Sequence, residues 1–391
     1  MPRHFIVFSV LAITQIIGWG TVSLLPVVAA RIAEDLRIEL PTVFLGTSAM
    51  FVTMGIAAPW VGRGFRRFGA RRLMAIGAGL IGIGFGVIGA ASTVPVFLIA
   101  WVIIGLAGAM FLTTAAYVYL AHYSDDRARS LIGALMLVTG LAGSVFWPIT
   151  ALLDHAFGWR GAALLYAGAM ILLVCPLVLL GLPETGGDTE LANTGERPAL
   201  KGLVFRLLVL VIALNSFVTF GMESIGIELF RAMGADLANA VAIASLLGFF
   251  KVGGRVIDLL GGNKWDGLST AVISGATIPV GLLTICIWEN GFWPVAGYLI
   301  FFGIGSGAFA VARATMPLAF YRKADYATAM STIALPMNLI NALAPPVLAA
   351  LLTGVGHQAV LGSLAILSAA AFAALLYLNT LRSNPPVPAD G

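Results

Sequence analysis

The sequence predicts an all-α membrane protein: twelve transmembrane helices arranged as two six-helix pseudo-repeats around a central cavity. Three observations lead there. The 391 residues are 60% hydrophobic and 10% charged, with a mean hydropathy of +0.99, whereas soluble domains carry about a quarter charged residues. Apolar runs of about 20 residues, the length that crosses the hydrocarbon core of a bilayer, recur along the chain. The 46 glycines supply the small surfaces on which helices pack closely in lipid.

The first run covers 5–30 and is too long for the apolar region of a cleaved leader. Runs 41–62 and 73–92 follow, separated by "VGRGFRRFGARRL", which places five arginines within residues 63–72. Next come 96–122, then 131–153, where Trp147-Pro148 predicts a kink because proline lacks a backbone donor, then 160–182. The segment "PETGGDTELANTGERPALKG", 183–202, is polar, without apolar period. It reads as a cytoplasmic linker between an N-terminal six-helix bundle, 1–182, and a C-terminal one, 203–391, that ends in a short cytoplasmic tail. The second six runs are 203–230, 237–258, 268–288, 293–320, 327–352 and 358–381. Their connections are mostly short, so consecutive helices are antiparallel neighbours.

Lys and Arg set the orientation, because cytoplasmic loops hold the excess. With both termini in the cytoplasm, sixteen fall inside and four outside (Arg31, Arg37, Arg160 and Arg231), while Lys251 and Arg313 lie within the membrane. The arginine-rich stretch is then the cytoplasmic loop between helices 2 and 3. Pinned at the bilayer and lacking interleaved aromatics, it is not a nucleic-acid site.

An internal repeat supports the six-plus-six division. A shift of 198 lays "GLAGAMFLTTAAYVYLAHY" (105–123) over "GIGSGAFAVARATMPLAFY" (303–321), aligning Gly105 with Gly303 and Tyr123 with Tyr321, and further on Pro148 with Pro346. A shift of 192 lays Gly62-Arg63 over Gly254-Arg255. Parallel homologous halves are one of the repeat types transporters use, with the site at their interface.

These residues resemble the major facilitator superfamily. The family's signature between helices 2 and 3 appears as Gly62, Arg67, Gly69, Arg71 and Arg72, with Arg66 where the family has an acid. The second-half copy, "GGRVID", keeps its acid: Gly254, Arg255, Asp258. The resemblance implies a conformational latch, in which the acid caps a neighbouring helix and the bases pair with acids of nearby helices. The stretches 143–167 and 310–346 are similar to a bacterial branch loosely near the monocarboxylate-transporter-like members. The glycine-rich helix-5 signature of proton-linked drug antiporters is mostly absent, its position reading Trp147-Pro148-Ile149-Thr150-Ala151-Leu152. A multi-pass protein of the cell inner membrane is the expected setting.

Ionisable groups inside a span usually face a cavity or a partner. Arg313 and Lys251 lie on the order of 10 Å from the cytoplasmic ends of helices 10 and 8, and two cations at one depth suit an anion, arginine offering a planar fork to a carboxylate. Either could instead be structural, and Lys251 could snorkel. Glu223, on the outer half of helix 7, is the proton-coupling candidate, while Glu228, three residues from Arg231, reads as its partner. Gln15 and Trp19 share one face of helix 1, as ligand contacts or as packing groups; Asn215 and Asn338 are open in the same way.

Cys175 and Cys286 lie far apart in apolar runs and the four histidines are scattered, so no disulfide, metal or cofactor is expected. Neither a phosphate-binding loop nor a nucleophile–base constellation occurs, which argues against a pump and an enzyme. The expected function is a secondary transporter, monomeric in its bilayer, for a small-molecule substrate: a small organic anion such as a monocarboxylate, with a proton as the candidate coupling ion. The alternative is a multidrug-type exporter of apolar or cationic compounds. The latch assignment carries a prediction. Neutralising Arg71 and Arg72 slows transport in a flux assay and leaves substrate affinity nearly intact; a large affinity loss at unchanged turnover would rule it out.

Overall fold

A computed structural model of the protein describes residues 3–123, 128–184, 202–261, 266–287, 291–321 and 323–383. The linker thus lies almost wholly outside the described residues, as do the tail beyond 383 and the side chain of Arg66. No strand occurs among the described residues.

Span 1 consists of α1 (Arg3–Val22) and α2 (Leu25–Leu36), broken at Ser23 and Leu24; spans 2 and 3 are α3 (Leu40–Phe68) and α4 (Ala70–Ala90). Span 4 is α5 (Val94–Phe111) and α6 (Thr113–Tyr123), broken at Leu112. Span 5 comprises α7 (Ala128–Thr139) and the first part of α8 (Ala142–Gly168). Span 6 runs from the rest of α8 through a π-helical turn, Ala169–Val174, into α9 (Cys175–Gly181). Spans 7 to 9 are α10 (Leu203–Ala232), α11 (Leu237–Gly261) and α12 (Gly267–Ile287). Span 10 joins α13 (Phe292–Tyr298), a π-helical turn (Leu299–Gly303), α14 (Ile304–Thr315) and a 3₁₀ turn (Met316–Ala319). Spans 11 and 12 are α15 (Lys323–Gly354) and α16 (His357–Ser383).

By length and apolarity, eleven segments among the described residues qualify as membrane spans. One of them, Leu131–Gly181, has 51 residues, about 77 Å of helix, more than twice a hydrocarbon core of about 30 Å. It is broken at Gly158, whose φ of 69° and ψ of 169° no helix contains, and dividing it there yields the numbering used above. Large apolar side chains such as Leu172, Leu180 and Leu260 remain exposed on the outside, where lipid rather than water is their solvent.

Between the first six spans and the last six, α3 packs along α15, α8 along α11, and α2 against α10. Under the sequence repeat, span 2 corresponds to span 8 and span 5 to span 11, so the first two of these contacts exchange into each other. Gly105 lies against the backbone of Met50 in span 2, and its repeat mate Gly303 against Phe250 in span 8. Closest of all is the crossing of α11 and α14: a Cβ on Gly254 would collide with the Ile304 carbonyl, and one on Gly307 with the carbonyl of Lys251.

Helix breaks free backbone carbonyls, which a bilayer cannot solvate. Side chains from neighbouring spans meet those beside the breaks: Trp147 Nε1 donates to Ser23 O (3.1 Å), and Gln15 Nε2 to Phe111 O (2.7 Å). The kink expected at Trp147-Pro148 falls elsewhere. Helix α8 runs through Pro148, and span 5 is interrupted at Gly140 and Leu141, where the missing side chain of Gly140 leaves room for the Arg255 guanidinium.

Ion pairs tie the rims. Arg31 meets Asp154 at 3.2 Å, Arg160 pairs with Asp35, and Arg382 meets Asp266 at 2.6 Å. Asp266 also caps α12 by accepting the Ser269 N–H at 3.1 Å. Partial burial raises its carboxyl pKa, but the Ser269 hydrogen bonds and the Arg382 charge outweigh that and hold it below the usual carboxylate range. Its contribution to stability is therefore present at neutral pH and lost as the pH falls through that lowered value.

The α11–α14 crossing makes a direct prediction. Gly307→Ala should destabilise the purified protein by about 1–3 kcal/mol through overpacking, whereas Gly79→Ala, with open space around its Cβ, should be neutral or gain up to about 1 kcal/mol of helix propensity. Equal melting temperatures for the two variants in detergent would contradict the crossing.

Candidate functional site

A cavity of about 370 Å³ opens between the two sets of spans. Each lining helix contributes one face. Helix α10 presents Ser216, Thr219, Phe220 and Glu223; α11 presents Leu247, Gly248, Lys251 and Arg255; α14 presents Ser306, Phe309, Ala310 and Arg313. These spacings of three and four are what an α-helix aligns on one side. The first six spans supply mainly wall: Trp19, Phe44, Phe51 and Trp147, with Thr47, Thr113 and Ser144 among them. Phe51 and Phe220 close one side edge to face, at 5.0 Å between centroids.

The cavity's charge is one-sided. Among the described residues its ionisable lining is Lys251, Arg255, Arg313 and Glu223. Lys251 and Glu223 form an ion pair, the lysine 11% and the carboxylate 35% exposed. Glu223 is nine residues from the end of α10, and Lys251 ten from the opposite end of α11. Each therefore sits about 14–15 Å inside its helix, and they meet near mid-membrane. Arg255 follows Lys251 by one turn and donates from Nη1 to Met136 O at 2.5 Å, across to span 5. Arg313, in the last turn of α14, has no hydrogen-bond or ion-pair partner among the described residues and is part-exposed to the cavity. Tyr117 of α6 lies within electrostatic reach of both arginines.

Several buried polar atoms on the cavity have no partner among the described residues: Ser144 Oγ, Ser216 Oγ and Asn341 Oδ1. Trp19 lines the cavity and is fixed by an Nε1 hydrogen bond to Thr113 Oγ1 at 2.7 Å. No group of three or more metal-ligating side chains occurs among the described residues.

The sequence candidates divide. Arg313, Lys251, Glu223 and Trp19 come together on the cavity, while Gln15, Asn215 and Asn338 are not part of its lining. Gln15 Nε2 donates to the Phe111 carbonyl, and Asn215 Nδ2 bonds Val211 O in its own helix at 3.1 Å. Asn338 points its amide toward Gly55 of α3. Glu228 accepts from Arg231 with both oxygens at 3.2 Å. Sequence reasoning placed Arg255 in the cytoplasmic loop and missed its place on the cavity; its spacing of four from Lys251 was the available signal. It also left Lys251 and Glu223 unpaired, because no local spacing links α10 to α11.

In the stretch between spans 2 and 3, Gly69 adopts a φ of 79° to turn the chain between α3 and α4, a conformation that favours glycine. Gly62 has open space around it, and Arg67 lies over the ring of Phe68. Arg71 pairs with Glu184, and Arg72 reaches the same carboxylate at 3.2 Å. Glu184 follows the end of span 6, so neither pair reaches the last six spans. In the second copy, Asp258 accepts from the Thr270 hydroxyl at 2.7 Å, joining span 8 to span 9.

Fold and cavity together define a polytopic helical membrane protein. The chain belongs to the Major Facilitator Superfamily, whose sequence profile matches residues 10–301. It is 24% identical to monocarboxylate transporter 4 of Mus musculus over 307 residues and to that of Gallus gallus over 311. Those alignments cover 72% of this chain and 62% of the relatives' length. Among solved structures it resembles the human organic anion transporter MFSD10 (TETRAN) at a TM-score of 0.69 and 17% identity, over 96% of this chain and 100% of that one. A bacterial homologue of the human lysosomal transporter Spinster, inward-facing and unoccupied, matches at 0.71 and 17%, over 98% and 96%. A mutant of the nucleoside transporter NupG matches at 0.77 and 13%, over 95% and 98%. At such identities the structures bear on the fold alone.

Removing one member of a buried ion pair strands the other charge. Lys251→Met and Glu223→Gln should each lower stability, and the double variant should lose less than their sum, with a coupling of about 0.5–3 kcal/mol. Strictly additive losses in unfolding measurements would show that the pair is not an energetic unit.

Proposed function

We propose that the protein is a secondary active transporter that carries a small organic anion, such as a monocarboxylate, across the cell inner membrane by alternating access to this cavity, with both termini cytoplasmic. One observation carries the reading: three cationic side chains and one carboxylate line the cavity among the described residues. Unpaired charge is costly in the membrane interior, and an incoming anion relieves it. Arg313 is the chief anion contact, since its planar guanidinium matches a carboxylate and has no other partner among the described residues. Trp19, Phe51 and Phe220 contact the apolar body of the solute. The similarity to monocarboxylate transporters supports the same class of solute.

Glu223 is the coupling group in this reading. When it takes a proton it releases Lys251, which then becomes available to the substrate carboxylate; when it loses the proton it reclaims Lys251 and the anion is freed. Proton and anion thereby bind together and leave together.

Reconstituted into proteoliposomes, the wild type should take up labelled small carboxylates, faster when a proton gradient runs in the same direction. Arg313→Ala should cut uptake at least about tenfold, the equivalent of one charge-assisted contact. Glu223→Gln should remove the response to the gradient. Full carboxylate uptake in Arg313→Ala, or binding confined to organic cations, would defeat the proposal.

A further inference from the structure

The charge count of the cavity reaches further than the sign of its substrate. Lys251 and Glu223 cancel each other. Beyond them stand two guanidinium groups without a counter-charge among the described residues. Among the described residues Arg255 bonds a neutral carbonyl, that of Met136, and Arg313 has no hydrogen-bond or ion-pair partner. The two lie within electrostatic reach of each other and of Lys251.

Their placement is tiered. Lys251 and Arg255 are one turn apart on α11, about 6 Å along the axis. Arg313 lies six residues past Gly307, whose backbone meets that of Lys251, hence about 9 Å further along α14. One tier is therefore the Lys251–Glu223 pair, and the other is the two arginines facing Tyr117. The buried, unpartnered hydroxyl of Ser144 belongs to the same cavity.

A monocarboxylate leaves this cavity with one positive charge in excess while Glu223 is ionised, and with two once Glu223 is protonated. A dicarboxylate leaves none or one. In either state the dianion is the better match, and an excess charge in a low-dielectric site is costly. We infer that the preferred substrate is a small dicarboxylate of about three to five carbons, a length in keeping with the roughly 6 Å step between tiers. One carboxylate is held by Arg255 and Arg313, and the other is directed to Lys251. This inference rests on the organic-anion reading and names its substrate class.

The test compares succinate with butyrate, which have the same number of carbons, on the purified full chain in detergent near neutral pH, by thermal shift and by equilibrium competition. Succinate should bind at least about tenfold more tightly. Arg255→Gln should weaken succinate about tenfold and change butyrate by less than about threefold, with Arg255→Lys restoring most of the loss. The wild-type comparison stands even if a variant fails to fold. Butyrate binding as tightly as succinate would overturn the dicarboxylate assignment and leave the anion transporter intact. Tighter binding of a phosphate monoester than of succinate would overturn it as well. If no anion binds and an organic cation does, the anion reading itself fails.

Discussion

Holding several positive charges inside a bilayer is the constraint on which the rest of the site depends. Each of Lys251, Arg255 and Arg313 needs an acid, a carbonyl or an aqueous space, because hydrocarbon offers none of these. The protein uses all three: Glu223 for the lysine, the Met136 carbonyl for Arg255, and the cavity for Arg313. Bringing the charges together in turn requires α11 and α14 to cross at backbone distance, which Gly254 and Gly307 permit. The glycines of the second half thus serve the electrostatics as much as the packing. Larger residues there would separate the helices and scatter the cations.

The same constraint shapes the first six spans, where the problem is backbone rather than charge. Spans 1, 4 and 5 are all interrupted close to the cavity, at Ser23–Leu24, Leu112 and Gly140–Leu141. Irregular backbone is tolerated at membrane depth where protein covers it or a cavity solvates it. At the first two breaks Trp147 and Gln15 supply the cover from other spans. Trp19 acts in both ways, its ring a wall of the cavity and its N–H bonded to Thr113 beside the span 4 break. Polar residues in apolar runs therefore divide into those that solvate backbone and those that face the cavity.

That division explains what the sequence could and could not reveal. The all-helical, membrane-spanning character was legible because bilayer thickness imposes a length on every span, and Gly105 and Gly303, matched by the sequence shift, both sit at close helix contacts. Arg313 was legible as a candidate because a deep cation needs a cavity or a partner, but sequence did not decide between the two. The roles of Gln15 and Asn215 were not legible, since an amide can satisfy a neighbouring carbonyl or a solute and sequence does not distinguish them. Nor was the Lys251–Glu223 pair, which depends on the relative height and rotation of two helices. Arg255 was hidden by its motif: the loop resemblance drew it toward the cytoplasm, while its one-turn spacing from Lys251 put it on the cavity.

The cavity's two sides also differ in kind, and this bears on how binding would drive motion. Among the described residues, the four ionisable lining groups come from α10, α11 and α14, whereas most of the aromatic wall comes from α1, α3 and α8. A solute held by both would bridge the two sets of spans. Arg255 already makes such a bridge through Met136, on the α8–α11 side of the molecule. On the proposed reading, an anion arriving at Arg255 competes with that carbonyl, so binding weakens one contact between the halves while creating another through the solute. A ligand shifts a conformational equilibrium only by its differential affinity for the two states. On the proposed reading, the exchange of a neutral carbonyl for a charged carboxylate at Arg255 generates that difference.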